Sequence, residues 1–138
     1  MREYLFRGKF GNEWKYGFLS IEPKGLVIKE PYKNESSNVW HIDSDTVGQY
    51  TGLTDKNGTK IFEGDILEAD VFKNLNRCKV IWTVEYKERF LQGNGYYFYG
   101  KNRRFNARAT QSTIINTHAT VIGNIYDNLE LLKGENND

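Results

Sequence analysis

The feature that most constrains the fold is the segment Cys78–Tyr86, which has an apolar side chain at every second position. A period of two is the pattern of a β-strand with one buried face. Aromatic residues make up 14% of the chain and there are 13 glycines, a usage typical of strands and tight turns. Shorter runs of strand type lie at 2–10, 14–20, 25–29, 39–42, 47–51, 61–67, 96–99, 113–115 and 119–125.

These short runs predict a mainly β protein, since they recur along the chain between turn-forming residues. The expected architecture is a small SH3-like or related barrel or sandwich of short antiparallel strands. An Asp127-Asn128 pair followed by Leu129–Leu132 predicts a short helical turn near the C-terminus. Gly11-Asn12 predicts the turn of an opening hairpin between the first two runs.

Two turns in the middle of the chain have specific residue requirements. Asn57-Gly58 lies in a polar stretch, and both residue types tolerate a positive φ, so a tight turn is predicted there. Gly64-Asp65 precedes a run of apolar residues, where glycine gives the backbone freedom to turn and the aspartate can accept hydrogen bonds from nearby amides.

Catalytic and metal-binding patterns are not found. The single Cys78 and the two histidines, His41 and His118, show no metal-ligand spacing. Cys78 lies on the apolar face of its strand, where a small buried hydrophobe is expected instead of a nucleophile. There is no G-x-S-x-G elbow and no phosphate-binding glycine loop. We therefore expect no catalytic residue, no metal and no cofactor, and a protein that is not an enzyme.

Carboxylates two positions apart are the nearest approach to a catalytic pattern, because alternate residues of a strand share a face and could hold a divalent cation. Such pairs are also common on solvated strands and turns, which is the interpretation favoured here. The pairs are Asp43/Asp45, Glu63/Asp65 and Glu68/Asp70.

A lone cysteine favours a reducing compartment, because no internal disulfide can form. The N-terminal residues are charged and no apolar run is long enough to cross a membrane. A soluble, cytoplasmic protein is expected.

The net charge of +1 conceals an uneven distribution. Residues 35–72 contain eight acidic and two basic residues, whereas residues 73–108 contain nine basic and two acidic residues. Cations interleaved with aromatic rings are what a nucleic-acid-binding β-surface requires, since the cations neutralise phosphates and the rings stack on bases. The candidate residues are Arg77, Lys79, Trp82, Lys101, Arg103, Arg104, Phe105 and Arg108.

Three interpretations of this charge distribution stay open at the level of sequence. The acidic segment could pair with the basic one in space and neutralise it, with the aromatic residues filling the core. The basic segment could bind single-stranded DNA or RNA. The opposite charges could also join copies of the chain into a homo-oligomer. The sequence offers no evident small-molecule substrate.

Two long motifs resemble a known family. Gln49–Ile66 is similar to the pattern Q-Y-T-G-L-x-D-K-N-G-x-x-I-[YF]-E-G-D-I of the YopX family of phage and prophage proteins, and Val121–Leu132 is similar to its closing motif V-I-G-N-I-[YF]-[ED]-N-x-E-L-L. The opening Tyr4–Arg7 and Trp14 also resemble the start of that family. Segment 73–108 lies between the two long motifs and is covered by neither.

The resemblance implies a phage or prophage accessory protein with an unassigned biochemical role, some of whose relatives are thought to form oligomers. It implies one YopX-like β domain over residues 1–132, and we expect residues 133–138 to be a frayed tail. We expect a non-enzymatic binding or assembly module, with nucleic-acid binding through residues 77–108 and homo-oligomerisation as the alternatives. Motif residues expected to form bends and turns are Gly52, Asn57, Gly58, Gly64, Asp65 and Gly123.

Overall fold

The computed structural model describes residues 5–30, 38–88 and 93–133. The chain divides into two compact units, residues 1–52 and 53–138. The strands are β1 (Phe6–Phe10), β2 (Glu13–Glu22), β3 (Gly25–Lys29), β4 (Val39–His41), β5 (Asp43–Thr54), β6 (Lys60–Phe62), β7 (Asp65–Lys73), β8 (Asn76–Lys87), β9 (Gly95–Tyr99), β10 (Ala107–Arg108) and β11 (Thr120–Asn124). The helices are α1 (Gln111–Thr117) and α2 (Glu130–Lys133), and Lys101–Arg103 forms a 3₁₀ turn.

The prediction of a mainly β protein is confirmed. Among the described residues the strands form two sheets, with the orders β4-β3-β2-β1-β5-β6 and β10-β9-β8-β7-β11, and neither sheet closes on itself. An SH3-like barrel therefore stays a prediction, as does the domain boundary at residue 132. Residues 134–138 of the expected tail lie outside the described residues. No helix in the described ranges is long and apolar enough to cross a lipid bilayer.

The first unit begins with the predicted hairpin. β1 and β2 are antiparallel, with a register that runs from Phe6 opposite Gly17 to Phe10 opposite Glu13. Gly11 takes a φ of 63° in the turn between them, a conformation that glycine adopts without a steric penalty. β3 and β4 extend this sheet on the far side of β2.

The second unit is built around the alternating segment identified in the sequence. β8 pairs antiparallel with β7 from Ile66 opposite Thr83 to Lys73 opposite Asn76, and with β9 on its other side. Of the side chains on the core-facing side of β8, Val80, Trp82 and Val84 are buried, whereas Cys78, expected to be buried, is half-buried and Tyr86 at the end is exposed. The buried core cluster contains Ile61, Leu67, Ala69, Val80, Trp82, Val84, Phe98, Ile114 and Ala119.

The turn from β5 to β6 is organised by Asp55, which is buried. Its Oδ1 accepts hydrogen bonds from the amides of Asn57 (2.8 Å) and Thr59 (2.9 Å), and its Oδ2 accepts one from the amide of Val121 (2.9 Å). Gly58 has a φ of 86°, and its amide donates to the carbonyl of Asp55 (3.0 Å). One carboxylate thus fixes a tight turn and joins it to the start of β11.

The other motif residues lie at bends as well. Gly64 has a φ of 92° immediately before β7, and Oδ2 of the buried Asp65 accepts a hydrogen bond from the amide of Phe62 (2.7 Å). Gly52 has a φ of 88° in β5. A Cβ at Gly123 would lie 2.6 Å from Oδ1 of Asn128, so this bend has no room for a larger residue.

The strand predicted at Thr113–Ile115 is wrong, because these residues belong to α1. The side chain of Thr110 caps the helix by accepting a hydrogen bond from the amide of Thr113 (3.1 Å). Ile114 is buried against the core while Ile115 is exposed. The helix ends at His118, which takes a left-handed conformation with φ 54°. The terminal helical turn predicted at Leu129–Leu132 corresponds to α2.

Candidate nucleic-acid interface

The predicted nucleic-acid residues all lie in the second unit, on β8 and on the segment that leads from β9 through the 3₁₀ turn to β10. Trp82 is a correction to that set, because only 1% of its surface is exposed. Its ring stacks on Phe98 with centroids 4.9 Å apart, and its Nε1 donates to the carbonyl of Phe105 (2.9 Å). A ring packed in this way cannot stack on a base, so Trp82 is part of the core.

Lys79 is exposed but lies between two carboxylates of the neighbouring strand. Asp70 is its register partner on β7, and the Nζ of Lys79 is 3.7 Å from an oxygen of Asp70 and 3.7 Å from one of Glu68. Glu68 and Asp70, in the middle of β7, therefore neutralise the basic residue opposite them. At Lys79 the structure thus shows the first of the three interpretations, in which the acidic segment pairs with the basic one and neutralises it.

Arg103 and Lys87 share a single carboxylate. Nη1 of Arg103 is 3.2 Å from Glu85, and the Nζ of Lys87 is 3.3 Å from the other oxygen of the same side chain. The guanidinium of Arg103 also lies 4.3 Å from the ring centroid of Tyr99. Both cations are thus engaged on the outer face of the second sheet.

Arg108 is held by β9. Its Nη1 donates to the hydroxyl of Tyr97 (2.9 Å), its Nη2 reaches the carbonyl of Asn94 at 3.4 Å, and its guanidinium lies 5.3 Å from the Tyr97 ring centroid. Lys101 opens the 3₁₀ turn and is half-buried. The contacts of Arg108 thus join β10 to β9 and to the residue before it.

Three further exposed cations also lie over aromatic rings, but they differ from Lys79, Lys87 and Arg103 in having no carboxylate partner among the described residues. Lys73 and Arg104 approach the same ring, that of Phe105, at 5.8 Å and 5.7 Å, and Arg77 lies 4.9 Å from the ring of Phe72. Within residues 5–30, 38–88 and 93–133, none of the three forms an ion pair with a carboxylate. We refer to Phe72, Lys73, Arg77, Arg104 and Phe105 as the cationic end of the second sheet.

Sequence reasoning missed Phe72 and Lys73 as members of this cluster. Lys73 contributed to the charge of the basic segment but was not selected, because its proximity to Phe105 depends on a fold that places the β7–β8 turn beside the segment after β9. A sequence signal was nevertheless present, since Lys73, Arg77 and Lys79 fall in a stretch, residues 71–84, that contains no acidic residue.

The first unit carries a second row of aromatic residues. Trp14, Tyr16 and Phe18 alternate along β2 and share one face, with Tyr16 and Phe18 exposed. Beside this row, the guanidinium of Arg7 and the Nζ of Lys9 lie 4.5 Å and 5.6 Å from the ring centroid of Trp14, and the Nζ of Lys29 is 3.6 Å from Glu22. A hydrogen bond from Ser20 and the charge of Lys29 hold the pKa of Glu22 below its usual value, which keeps this carboxylate ionised. Arg7 is buried and Lys9 is half-buried, so the cations over this row are less accessible to a phosphate than the exposed cations of the cationic end.

The carboxylate pairs have structural uses. Asp43 accepts a hydrogen bond from the amide of Asp45 (3.0 Å), Asp65 caps its turn, and Glu68 and Asp70 hold Lys79. Over the described ranges, no group of three or more His, Cys, Asp or Glu side chains is arranged to hold a metal ion. Both His41 and His118 are exposed.

Comparison with known proteins adds a family and a fold. A model of the YopX protein family matches residues 7–133, which is nearly the whole chain and confirms the resemblance of the two motifs. A solved structure, that of protein EF1440 from Enterococcus faecalis, is similar to this chain at 25% identity and a TM-score of 0.55. That similarity covers 96% of this chain and 99% of the other. The comparison with curated proteins finds no match.

Proposed function

The chain belongs to the YopX family, and we propose that this member is a non-enzymatic module that binds nucleic acid through the cationic end of its second sheet. The observation that carries the proposal is the set of three exposed cations, Lys73, Arg77 and Arg104, with no ion pair to a described carboxylate. Each is placed over an aromatic ring. Cations in this state can exchange their solvent counterions for phosphates without breaking an existing ion pair.

The contrast with neighbouring positions supports this location. Lys79, Lys87 and Arg103 lie within 4 Å of a carboxylate, so a phosphate would have to compete with an internal partner. Carboxylates therefore compensate the positive charge of Lys79, Lys87 and Arg103. The positive charge is uncompensated by described carboxylates at the β7–β8 turn, where Lys73 and Arg77 lie, and at Arg104. A phosphate-binding surface is expected where the compensation ends.

We also propose that the protein originates from a phage or prophage and acts in the cytoplasm. We further propose that its β-structure is related to the SH3-like barrels. Homo-oligomerisation is the competing interpretation of the charge distribution. It predicts a mass by light scattering that changes with salt concentration, whereas the nucleic-acid proposal predicts a mass that does not.

Replacing Arg104 by glutamate tests the proposal at one position. We expect affinity for a labelled oligonucleotide, measured by fluorescence anisotropy, to fall about tenfold at low salt, because the change removes one phosphate contact and adds repulsion. The slope of log affinity against log salt should also become shallower by about one unit. Arg104 is a cleaner probe than Arg103, because glutamate at position 103 would also repel Glu85.

Lys24→Glu is the matched control, since Lys24 is exposed in the turn between β2 and β3 of the first unit and the change alters the net charge equally. If the contact is local, we expect Lys24→Glu to lose clearly less affinity than Arg104→Glu, because Lys24 is not part of the cationic end and removes no phosphate contact of the proposed site. Equal losses in the two variants would contradict a site at the cationic end. Absence of any salt-sensitive binding would contradict nucleic-acid binding altogether.

A further inference from the structure

We propose that the tip of the β7–β8 hairpin is an apolar wedge for double-stranded nucleic acid, in which Leu75 enters between two neighbouring base pairs. The inference rests on the proposed nucleic-acid binding and assigns it a substrate class, a duplex that can be kinked. It also assigns a role to a residue outside the predicted set.

The hairpin has the shape of an arm. Pairing of β7 with β11 ends at Glu68, and pairing of β8 with β9 ends at Thr83, whereas β7 and β8 stay paired as far as Lys73 opposite Asn76. In the described part of the chain, Ala69–Lys73 and its partner residues therefore form a two-stranded ribbon, about 17 Å long at roughly 3.4 Å per residue. Ala69 and Val80 anchor its base in the core and Val71 packs against that core, so the exposed part of the arm begins at Phe72.

The tip of the arm is apolar and conformationally unusual. Asn74 and Leu75 form the two-residue turn with φ values of 52° and 70°, the combination that usually selects Asn-Gly. A leucine in the left-handed region is disfavoured by contact of its Cβ with the backbone. Leu75 is nevertheless 95% exposed, and Phe72 beside it is 65% exposed. The chain thus retains a large apolar side chain at a point where folding favours glycine.

Cations lie on both faces of the ribbon. Successive side chains of a strand point to opposite faces, so Lys73 lies on the face of Phe105 and Arg104, whereas Arg77 lies on the face of Phe72. A groove of a double helix has a row of phosphates on each side. A ribbon with cations on both faces is complementary to such a groove. A single strand has only one row of phosphates, so it would engage the cations of one face only.

Both neighbours of Leu75 are asparagines, Asn74 and Asn76. Asparagine is among the residues that hydrogen-bond to base edges in the minor groove, where apolar wedges unstack and kink the duplex. In the hydrocarbon of a lipid bilayer the two amide side chains would lose hydrogen bonds without replacement. The polar flanks therefore favour a nucleic-acid groove over a membrane as the occupant.

The test compares two duplexes of equal length, one fully paired and one with a central unpaired bulge. In the bulged duplex part of the unstacking cost has already been met, so the wild-type chain should bind it about tenfold more tightly. Leu75→Ala and Leu75→Gly should each reduce that ratio to within about twofold of unity, while the shallower salt slope of Arg104→Glu should not appear in them. Ile21→Ala is the control, because Ile21 is 84% exposed near the end of β2 and the substitution should leave the ratio unchanged.

Glycine at position 75 also guards against a folding artefact. Because glycine adopts a positive φ freely, Leu75→Gly should raise the melting temperature by about 2–5 °C or leave it unchanged. If Leu75→Gly is at least as stable as the parent chain but no longer prefers the bulged duplex, the loss of preference is due to the missing leucine side chain. That result would support the wedge.

Three results would overturn the wedge. In the first, the parent chain binds both duplexes equally and with normal salt sensitivity, which leaves the proposed function intact. In the second, the preference survives in both Leu75 variants. In the third, the chain binds vesicles of anionic phospholipid through Leu75 and binds neither duplex. Loss of all salt-sensitive binding to nucleic acid is a distinct outcome, because it would remove the proposed function and the wedge together.

Discussion

Replacing Trp82 by alanine is expected to lower the free energy of unfolding by about 3–5 kcal/mol, the range observed when a large aromatic side chain is removed from a core. Trp82 is fully buried, stacks on Phe98 at 4.9 Å and donates its indole N–H to the carbonyl of Phe105. Alanine would leave a cavity and remove that hydrogen bond. A domain with a typical stability of about 5–15 kcal/mol would lose a large part of it.

Urea unfolding followed by circular dichroism measures this effect. Tyr86→Ala is the matched control, since Tyr86 lies on the same strand but is exposed, and we expect a loss of about 1 kcal/mol or less. Trp82→Phe should fall between the two, because it retains a ring and loses the hydrogen bond. If Trp82→Ala folded with parental stability and lost only nucleic-acid affinity, the assignment of Trp82 to the core would be wrong.

Replacing Asp55 by alanine is expected to cost about 3 kcal/mol or more of unfolding free energy. The substitution would leave the amides of Asn57, Thr59 and Val121 without the carboxylate that they share, and each unsatisfied buried donor costs about 1–3 kcal/mol. Water can reach the exposed turn residues and replace part of the loss, so the sum is not expected to be fully additive.

Asp55→Asn and Asp45→Ala complete this comparison. Asparagine retains one acceptor oxygen and should recover a substantial part of the stability, whereas Asp45 is exposed and its replacement should change stability by about 0.5 kcal/mol or less. Hydrogen exchange adds a local readout, because the amide of Val121 should lose protection in Asp55→Ala. Unchanged protection at Val121 would show that the carboxylate does not bind β11 to the turn.

The strands were predictable where the alternation was long. The pattern of Cys78–Tyr86 identified β8 and its buried face, since a period of two over that length has no helical interpretation. The run Thr113–Ile115 was too short to decide between strand and helix. The helix is favoured by the N-cap at Thr110, whose side chain accepts a hydrogen bond from the amide of Thr113. The sequence alone does not show that this hydrogen bond forms.

The candidate site was predictable only in its composition. The sequence showed a basic, aromatic segment, but which cations are compensated depends on strand register, as with Lys79 opposite Asp70. Trp82 was predicted both on the apolar face of its strand and as a stacking residue, and burial decided for the core. The approach of Lys73 to the ring of Phe105 is a tertiary contact that no local pattern indicates, whereas Arg104 directly precedes Phe105 in the chain.

The most direct test of the central claim is a chemical-shift titration of the ¹⁵N-labelled chain with a short DNA duplex at low salt. The account predicts that the largest amide shifts occur at Phe72–Arg77 and at Arg104-Phe105, and that they disappear as salt is raised. Shifts confined to the aromatic row of β2, or no shifts at any salt concentration, would contradict binding at the cationic end.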